Sequence, residues 1–467
     1  MKYRLLFLPI ETKNREFIGK LLTAAMAAQK NWLVFLGQAR VVRKSMFSFS
    51  PGVYSEISIP EYKYGSHLLE IARKGYKIVN ICEESVTYPD GRDYCDRKVG
   101  TSSLELVDLF FASGERHARD VMRFRSIDTE RLPITGSHRM DILRPGFREV
   151  YSKQANAIKK ELGPFILVNT NFARSNPHPN YGNRLAGLQE KKVISSNNQV
   201  EVWQGSRDYK ARLMTEFMSL IPEIISRFDC QVVIRPHPSE NHETWHAWAQ
   251  LNKNIHVRHE GSANEWMMAA KATLHNGCTT GLEAFMLERP VIAYVPDPES
   301  DFSRNIANEV SCQAHTREEL FTALEKALRT DSMDNEEERL IKTEKLKYYI
   351  ENVDGPFAWE RMIEEIDTLD VSYHSLDEIF MKSFQKTSSF FLAFSACKLF
   401  CKKGLSMFRK SSDAKNAKLL QKFPDLFEDE LMVPLQIWEK QGLISSLPRV
   451  MKISDNLFCL YKEGEPA

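Results

Sequence analysis

The chain has 467 residues, with 63 Lys and Arg against 62 Asp and Glu, a formal net charge of +1. With 43% hydrophobic and 27% charged residues it has the balance of a globular protein, which excludes a disordered chain. The near-neutral charge supplies no global field for nucleic acid, and none is expected as a partner. At roughly 150 residues per domain the length predicts two or three domains.

The chain opens on a Lys and then an apolar run, as a signal peptide would. The run is only about six residues long before Glu11, with no small-residue cleavage site behind it, so it reads as a buried first strand. No segment reaches the roughly 18 to 20 apolar residues of a membrane-spanning helix, and the expected location is cytoplasmic. Arg4–Ile10 then reads as strand, Asn14–Gln29 as helix, Trp32–Leu36 as strand, His67–Lys74 as helix, and Lys77–Ile81 and Leu109–Ala112 as strands. Glu115–Phe124 reads as helix. Such alternation marks a parallel sheet covered by helices. Turn formers cluster over Thr135-Gly-Ser-His-Arg-Met-Asp-Ile-Leu-Arg-Pro-Gly146, a boundary signal. After a charged helix the alternation restarts at Phe165–Val168. Glu201–Phe228 reads as helix with an interruption near Pro222, and strands are expected at Cys230–Ile234, Ile255–Val257, Thr273–His275 and Val291–Tyr294, with helices between. The expected units are an N-terminal one over 1–145 and a second over 146–330. A helical extension over 331–467 would pack back on the first unit or on a membrane. The eight cysteines form no Cys-x-x-Cys pair and read as reduced thiols.

In open α/β sheets ligands bind at the carboxyl ends of the strands, and several polar groups fall there. Val232-Val-Ile-Arg-Pro-His-Pro238 places Arg235, His237 and Pro238 on a rigid loop after a strand, where the guanidinium and imidazole can donate to a phosphate; a proline-terminated strand is the plainer reading. Asn276, Gly277, Thr279 and Thr280 lie where a strand turns into a helix whose N–H groups and hydroxyls would cradle an anion, with Glu283 accepting from ribose hydroxyls; a Thr-capped helix is the plainer reading. Glu11 and Arg15 follow the first strand, the former a candidate base or nucleophile and the latter its orienting partner. Glu83 and Glu84 repeat that logic, and because adjacent side chains on an extended segment diverge only one of them enters a site. Glu84 is the second candidate base. Asn169 and Asn171 add polar groups at the acceptor or cleft edge. His242-Glu-Thr-Trp-His246 matches the His-Glu-x-x-His pattern of zinc hydrolases, with Glu260 or Glu265 as conceivable third ligands. Ala249 and Asn252 stand where the extended motif needs Gly and His, Trp245 and Trp248 suggest packing, and no metal is expected. Over 382–410, Phe, Leu and Met alternate with Lys and Arg. This suits either an anionic membrane surface or a closing helix with snorkelling Lys stems.

Together these residues resemble bacterial surface-carbohydrate biosynthesis proteins of the two-Rossmann glycosyltransferase fold called GT-B. The resemblance rests on Pro9-Ile-Glu-Thr-Lys-Asn-Arg-Glu-Phe17, Glu83-Glu84, Thr135-Gly-Ser-His-Arg-Met-Asp141, Leu167-Val-Asn-Thr-Asn-Phe172, Arg235-Pro-His-Pro238 and Asn276-Gly-Cys-Thr-Thr-Gly-Leu-Glu283. The His-Pro pair and the hydroxyl-rich loop also look like those of sialyl- and Kdo transferases. By that resemblance His237 and Thr279-Thr280 hold the nucleotide and its phosphate. Two motifs depart from the family: Cys82-Glu-Glu-Ser85 replaces Asp-Glu-Glu-Gly, and Gly136-Ser-His-Arg139 replaces Gly-Asn-Pro-Arg, which concerns the interdomain hinge. The expected function is transfer of a sugar, Kdo or a related acidic sugar, from a CMP-activated donor on the second unit to a glycan or glycolipid acceptor on the first, with no cofactor and peripheral inner-membrane contact through 382–410. Alternatives are a UDP- or other NDP-sugar transferase, a nucleotide-sugar epimerase, a non-catalytic membrane-associated assembly subunit and a zinc hydrolase.

Overall fold

A computed structural model describes residues 1–88, 90–190, 194, 196–380 and 422–463. The chain forms two compact units, the first from 1–86, 90–142 and 349–467, the second from 87–89 and 143–348.

The first unit holds β1 (Lys2–Ile10), β2 (Trp32–Gln38), β3 (Val53–Glu56), β4 (Lys77–Ile81) and β5 (Leu109–Phe111), all parallel in the order 2-1-3-4-5. Tyr3 through Ile10 are buried without alternation, the signature of a strand covered on both faces. β3 was not anticipated from the sequence; it lies between β1 and β4 and puts the reversal of strand order between β1 and β3.

The second unit holds β6 (Phe165–Asn169), β7 (Gln231–Arg235), β8 (Ile255–Val257), β9 (Ala272–His275), β10 (Val291–Tyr294) and β11 (Cys312–Ala314). All are parallel, in the order 11-10-9-6-7-8. Renumbered within the unit this is 3-2-1-4-5-6, the dinucleotide-fold order whose switch point lies between its first and fourth strands, here β6 and β9. Ile166, Val168, Val232, Ile234 and Leu274 pack on one face against Leu213, Phe217 and Ile221 of the Asn197–Phe228 helix. That helix runs unbroken through Pro222, where an interruption was expected. The expected two-unit α/β architecture is therefore what the chain adopts.

The boundaries of the tail differ from expectation. The charged helix Glu336–Lys347 belongs to the second unit, and the chain from 349 onward belongs to the first. Among the described residues the tail carries helix Glu428–Lys440, but also three strands. β12 (His374–Ser375) pairs with β1, and the hairpin β13 (Arg449–Ser454) and β14 (Leu457–Tyr461) closes on β2 in antiparallel sense. The expected 382–410 membrane or closing helix lies outside the described residues. Among the described residues no helix is long and apolar enough to cross a membrane.

Candidate functional site

In the second unit the carboxyl ends of three strands are level: Asn169 of β6 aligns with Arg235 of β7 on one side and with His275 of β9 on the other. The loops behind them are tied together. Asn171 N–H donates to Asn276 Oδ1 at 2.8 Å, and its side-chain amide reaches the Gly277 carbonyl at 3.4 Å. Gly277 is at φ +82°, a region that favours glycine, and it lets the chain reverse out of β9. The amide nitrogens of Asn169 and Asn276 are buried and have no partner among the described residues.

Arg235, expected to donate to a phosphate, is held by backbone carbonyls. Its guanidinium donates to the carbonyls of Glu260 and Gly261 at 2.7 and 3.2 Å and lies over the Trp266 ring. Burial lowers its pKa to about 10, against the pull of Glu260 and Glu265. His237 is held by its neighbours: Ser239 N–H donates to Nδ1 at 3.1 Å, which leaves the proton of a neutral ring on Nε2. Pro238 continues the same loop.

The loop's anchor, Glu240, escaped the sequence reading. It is fully buried, and Oε1 accepts from Thr170 Oγ1 (2.8 Å), Phe172 N (2.8 Å) and His237 N (3.2 Å), while Oε2 accepts from Trp245 Nε1 (2.8 Å). Burial raises its pKa, with the donated hydrogen bonds opposing. One carboxyl thus fixes the loops after β6 and β7 and the helix behind them. Its sequence signal was a lone acid between a turn and an apolar helix, which periodicity does not distinguish from a surface residue.

Other expectations at this edge need correction. The helix after Gly277 spans Thr280–Met286, too short for its N-terminus alone to make an anion site, and Thr279 caps it without a side-chain bond. The Thr279 hydroxyl instead lies 3.0 Å from that of Thr87. Glu283, expected to meet ribose hydroxyls, is buried and not free. His275, fully buried, sets the loop: Nε2 donates to Ser311 Oγ at 2.8 Å and Nδ1 accepts from Gly277 N–H at 3.1 Å. Burial lowers its pKa to about 3, so the ring is neutral.

His242 donates from Nε2 to the His237 carbonyl at 3.2 Å, and Trp245 is core. Glu265 turns back to cap Ser262. The described residues contain no group of three or more His, Cys, Asp or Glu side chains able to hold a metal ion.

In the first unit Glu11 follows β1 and is exposed, with Lys422 at 2.7 Å. Burial of part of the side chain raises its pKa, but Lys422 and the nearby Lys63 and Arg15 outweigh this and lower it. Glu84 is gripped by Arg15 at 2.9 Å and by Lys98, and these cations overcome burial to bring its pKa to about 2. Arg15 also reaches Glu16 at 3.1 Å, so it orients Glu84 rather than Glu11. Glu83 diverges from Glu84, although the two lie in a turn after β4 and not on the extended segment expected. It turns inward to His138 Nε2 at 2.7 Å, beside Lys20, which itself bonds Glu16 at 3.0 Å. Glu56, at the end of the unanticipated β3, is another buried acid, bonded to Lys63 at 2.9 Å and His67 at 2.8 Å.

No protein-family model and no curated protein matches the chain. Solved structures resemble it loosely. UDP-GlcNAc 2-epimerase of Methanocaldococcus jannaschii, in complex with UDP-GlcNAc and UDP, is 14% identical with a TM-score of 0.42, over 74% of this chain and 99% of its own. A putative UDP-N-acetylglucosamine 2-epimerase from Listeria monocytogenes is 11% identical with a TM-score of 0.46, over 79% and 96%. The wall teichoic acid polymerase TagF is 11% identical with a TM-score of 0.43, over 78% and 88%.

Proposed function

We propose that this protein is a sugar-nucleotide enzyme of bacterial surface-polysaccharide synthesis, a glycosyltransferase whose activated donor binds the second unit. The observation that carries the reading is the β6–β9 switch point, where the Asn169 and Asn276 amides are buried with unspent donor capacity. A phosphorylated sugar nucleotide supplies the acceptor oxygens such groups lack. His237 is the group proposed to steady the departing phosphate, while the Arg235 guanidinium is anchored on backbone carbonyls. A CMP-activated acidic sugar is the finer proposal, and it rests on the likeness of His237-Pro238 and Thr279-Thr280 to Kdo and sialyl transferases. Glu11 is the proposed base for the acceptor hydroxyl, because Glu84 is held anionic between two cations and is a weak base. The reading uses no metal.

A thermal-shift panel of CMP, CDP, UDP, GDP and ADP, each with and without EDTA, tests it. A ligand that binds only the folded state at a hundred times its Kd stabilises by about 2.7 kcal/mol. Stabilisation by CMP that EDTA leaves intact and His237→Ala removes is the expected result. Preference for a diphosphate replaces the CMP donor while keeping the class. Turnover of the preferred nucleotide-sugar without acceptor makes the protein an epimerase. No response to any nucleotide overturns the proposal.

A further inference from the structure

The Asn197–Phe228 helix turns Lys210 inward. It lies three, four and seven residues before Leu213, Met214 and Phe217, which are buried, so it occupies the core-facing stripe of the helix. Its ammonium reaches the carboxyl edge of β9 and donates to the Asn276 carbonyl at 2.8 Å. Among the described residues it forms no salt bridge, unlike Lys20 with Glu16, Lys63 with Glu56 and Lys13 with Glu430. A desolvated ammonium with one neutral acceptor has two N–H groups and a full charge uncompensated.

The residue it touches carries an independent sign of a missing ligand. Asn276 is 4% exposed, and its Nδ2 has no partner. Its amide orientation is fixed, because Oδ1 accepts from the Asn171 N–H, so the orphaned atom is the donor nitrogen. Two unspent donors, one charged, therefore stand at one residue of the switch-point loop.

We propose that Lys210 and the Asn276 carboxamide form a phosphoryl-binding pair, with Lys210 the charge that anchors a phosphate of the donor. This rests on the reading that the second unit binds a phosphorylated ligand. The charge environment agrees. Burial brings the Lys210 pKa down to about 8; of its charged and titratable neighbours Arg174 lowers it further, and Cys278 and Glu240 raise it. Cys278 is itself kept as a thiol by burial. An anion would restore the charged state and fill the Asn276 donor at once. A lysine at the core-facing end of an apolar stripe was the available sequence signal, and a long amphipathic helix concealed it.

The test is isothermal titration of the full chain with the nucleotide chosen by the thermal-shift panel, and separately with inorganic pyrophosphate, for wild type, Lys210→Met and Lys210→Arg. The expected result is a loss of tenfold or more in affinity in Lys210→Met with partial retention in Lys210→Arg. With the nucleotide as ligand, between pH 8 and 10, where its phosphates no longer titrate, wild-type affinity falls with pH and the Lys210→Met profile is flat. This profile keeps the proposal testable even if Lys210→Met lowers stability, since Lys210→Arg is then the flat reference. Wild-type nucleotide binding unchanged in Lys210→Met, with parallel pH profiles, overturns the proposal and leaves the sugar-nucleotide reading standing. Pyrophosphate binding that depends on Lys210, with no nucleotide bound, sinks that reading and keeps the phosphoryl pair. Binding of neither overturns both.

Discussion

Glu56 shows how much a single buried group can decide. Its carboxyl is 1% exposed, and burial alone would raise its pKa. Hydrogen bonding from His67 and the charges of Lys63 and Arg43 reverse this and bring it from 4.5 to about 2. The unfolded chain therefore takes up the proton first as pH falls. The stabilisation, on the order of 3 kcal/mol, is fully present above pH 4.5 and is lost as pH drops toward 2. Urea midpoints measured from pH 7 to pH 2 should show wild type well above Glu56→Gln at neutral pH, with the gap closing below pH 4.5. A gap that stays constant with pH would show that the carboxylate charge is not what stabilises. Glu83 obeys the same logic: burial opposes its ionisation, and His138 and Lys20 override it.

At the scale of elements, the turn-rich stretch read as a boundary does hold the division between the units, at residues 142 and 143, and its part before that division has a further job within the first unit. Asp141 is fully buried and caps the distant helix Ala358–Asp367: Oδ1 accepts from Ala358 N at 3.0 Å and Oδ2 from Trp359 N at 3.0 Å. Asn352 Nδ2 joins Oδ1 at 2.6 Å, and its Oδ1 accepts from Ser137 N at 2.8 Å. Gly136, at φ +91°, lets Asn352 approach, since a Cβ there would meet Asn352 Oδ1 at 2.1 Å. The stretch thus clamps the returning chain by filling the open N–H groups of a helix start. Asp141→Ala orphans those donors and should cost on the order of 3 kcal/mol, read as a lowered urea midpoint, with Asp141→Asn in between. An unchanged midpoint in Asp141→Ala would refute the clamp.

At the scale of the whole molecule, the chain's last described segment completes its first sheet. β14 covers the β2 edge, which would otherwise offer unpaired backbone groups to other chains. Gly37 makes this possible: a Cβ there would lie 2.2 Å from the Asn456 carbonyl oxygen. Gly37→Ala should push the hairpin off β2, and amide exchange across Leu457–Tyr461 should accelerate while β1 stays protected. Equal protection in the variant would mean that the sheet absorbs the extra carbon. The hairpin itself was readable: Asp455-Asn456 lies between the alternating Arg449–Ser454 and the apolar run Leu457–Tyr461, and Asn456 adopts φ +63°. A helical reading of the tail overrode that local signal.

The sequence by itself determined the two α/β units, most strand positions and the loops that carry Asn169, His237 and Asn276, because periodicity and turn chemistry are local properties of the chain. It also located Glu11 and the Glu83-Glu84 pair at strand ends. It did not disclose that Arg235 is held by carbonyls, that Glu240 anchors the loops, that Lys210 turns inward without a counter-charge, or that the chain returns to its first unit after residue 348. Each of these depends on which distant groups share a buried volume. Desolvation makes a lone charge or amide conspicuous only once its surroundings exist, and that is decided by tertiary packing alone.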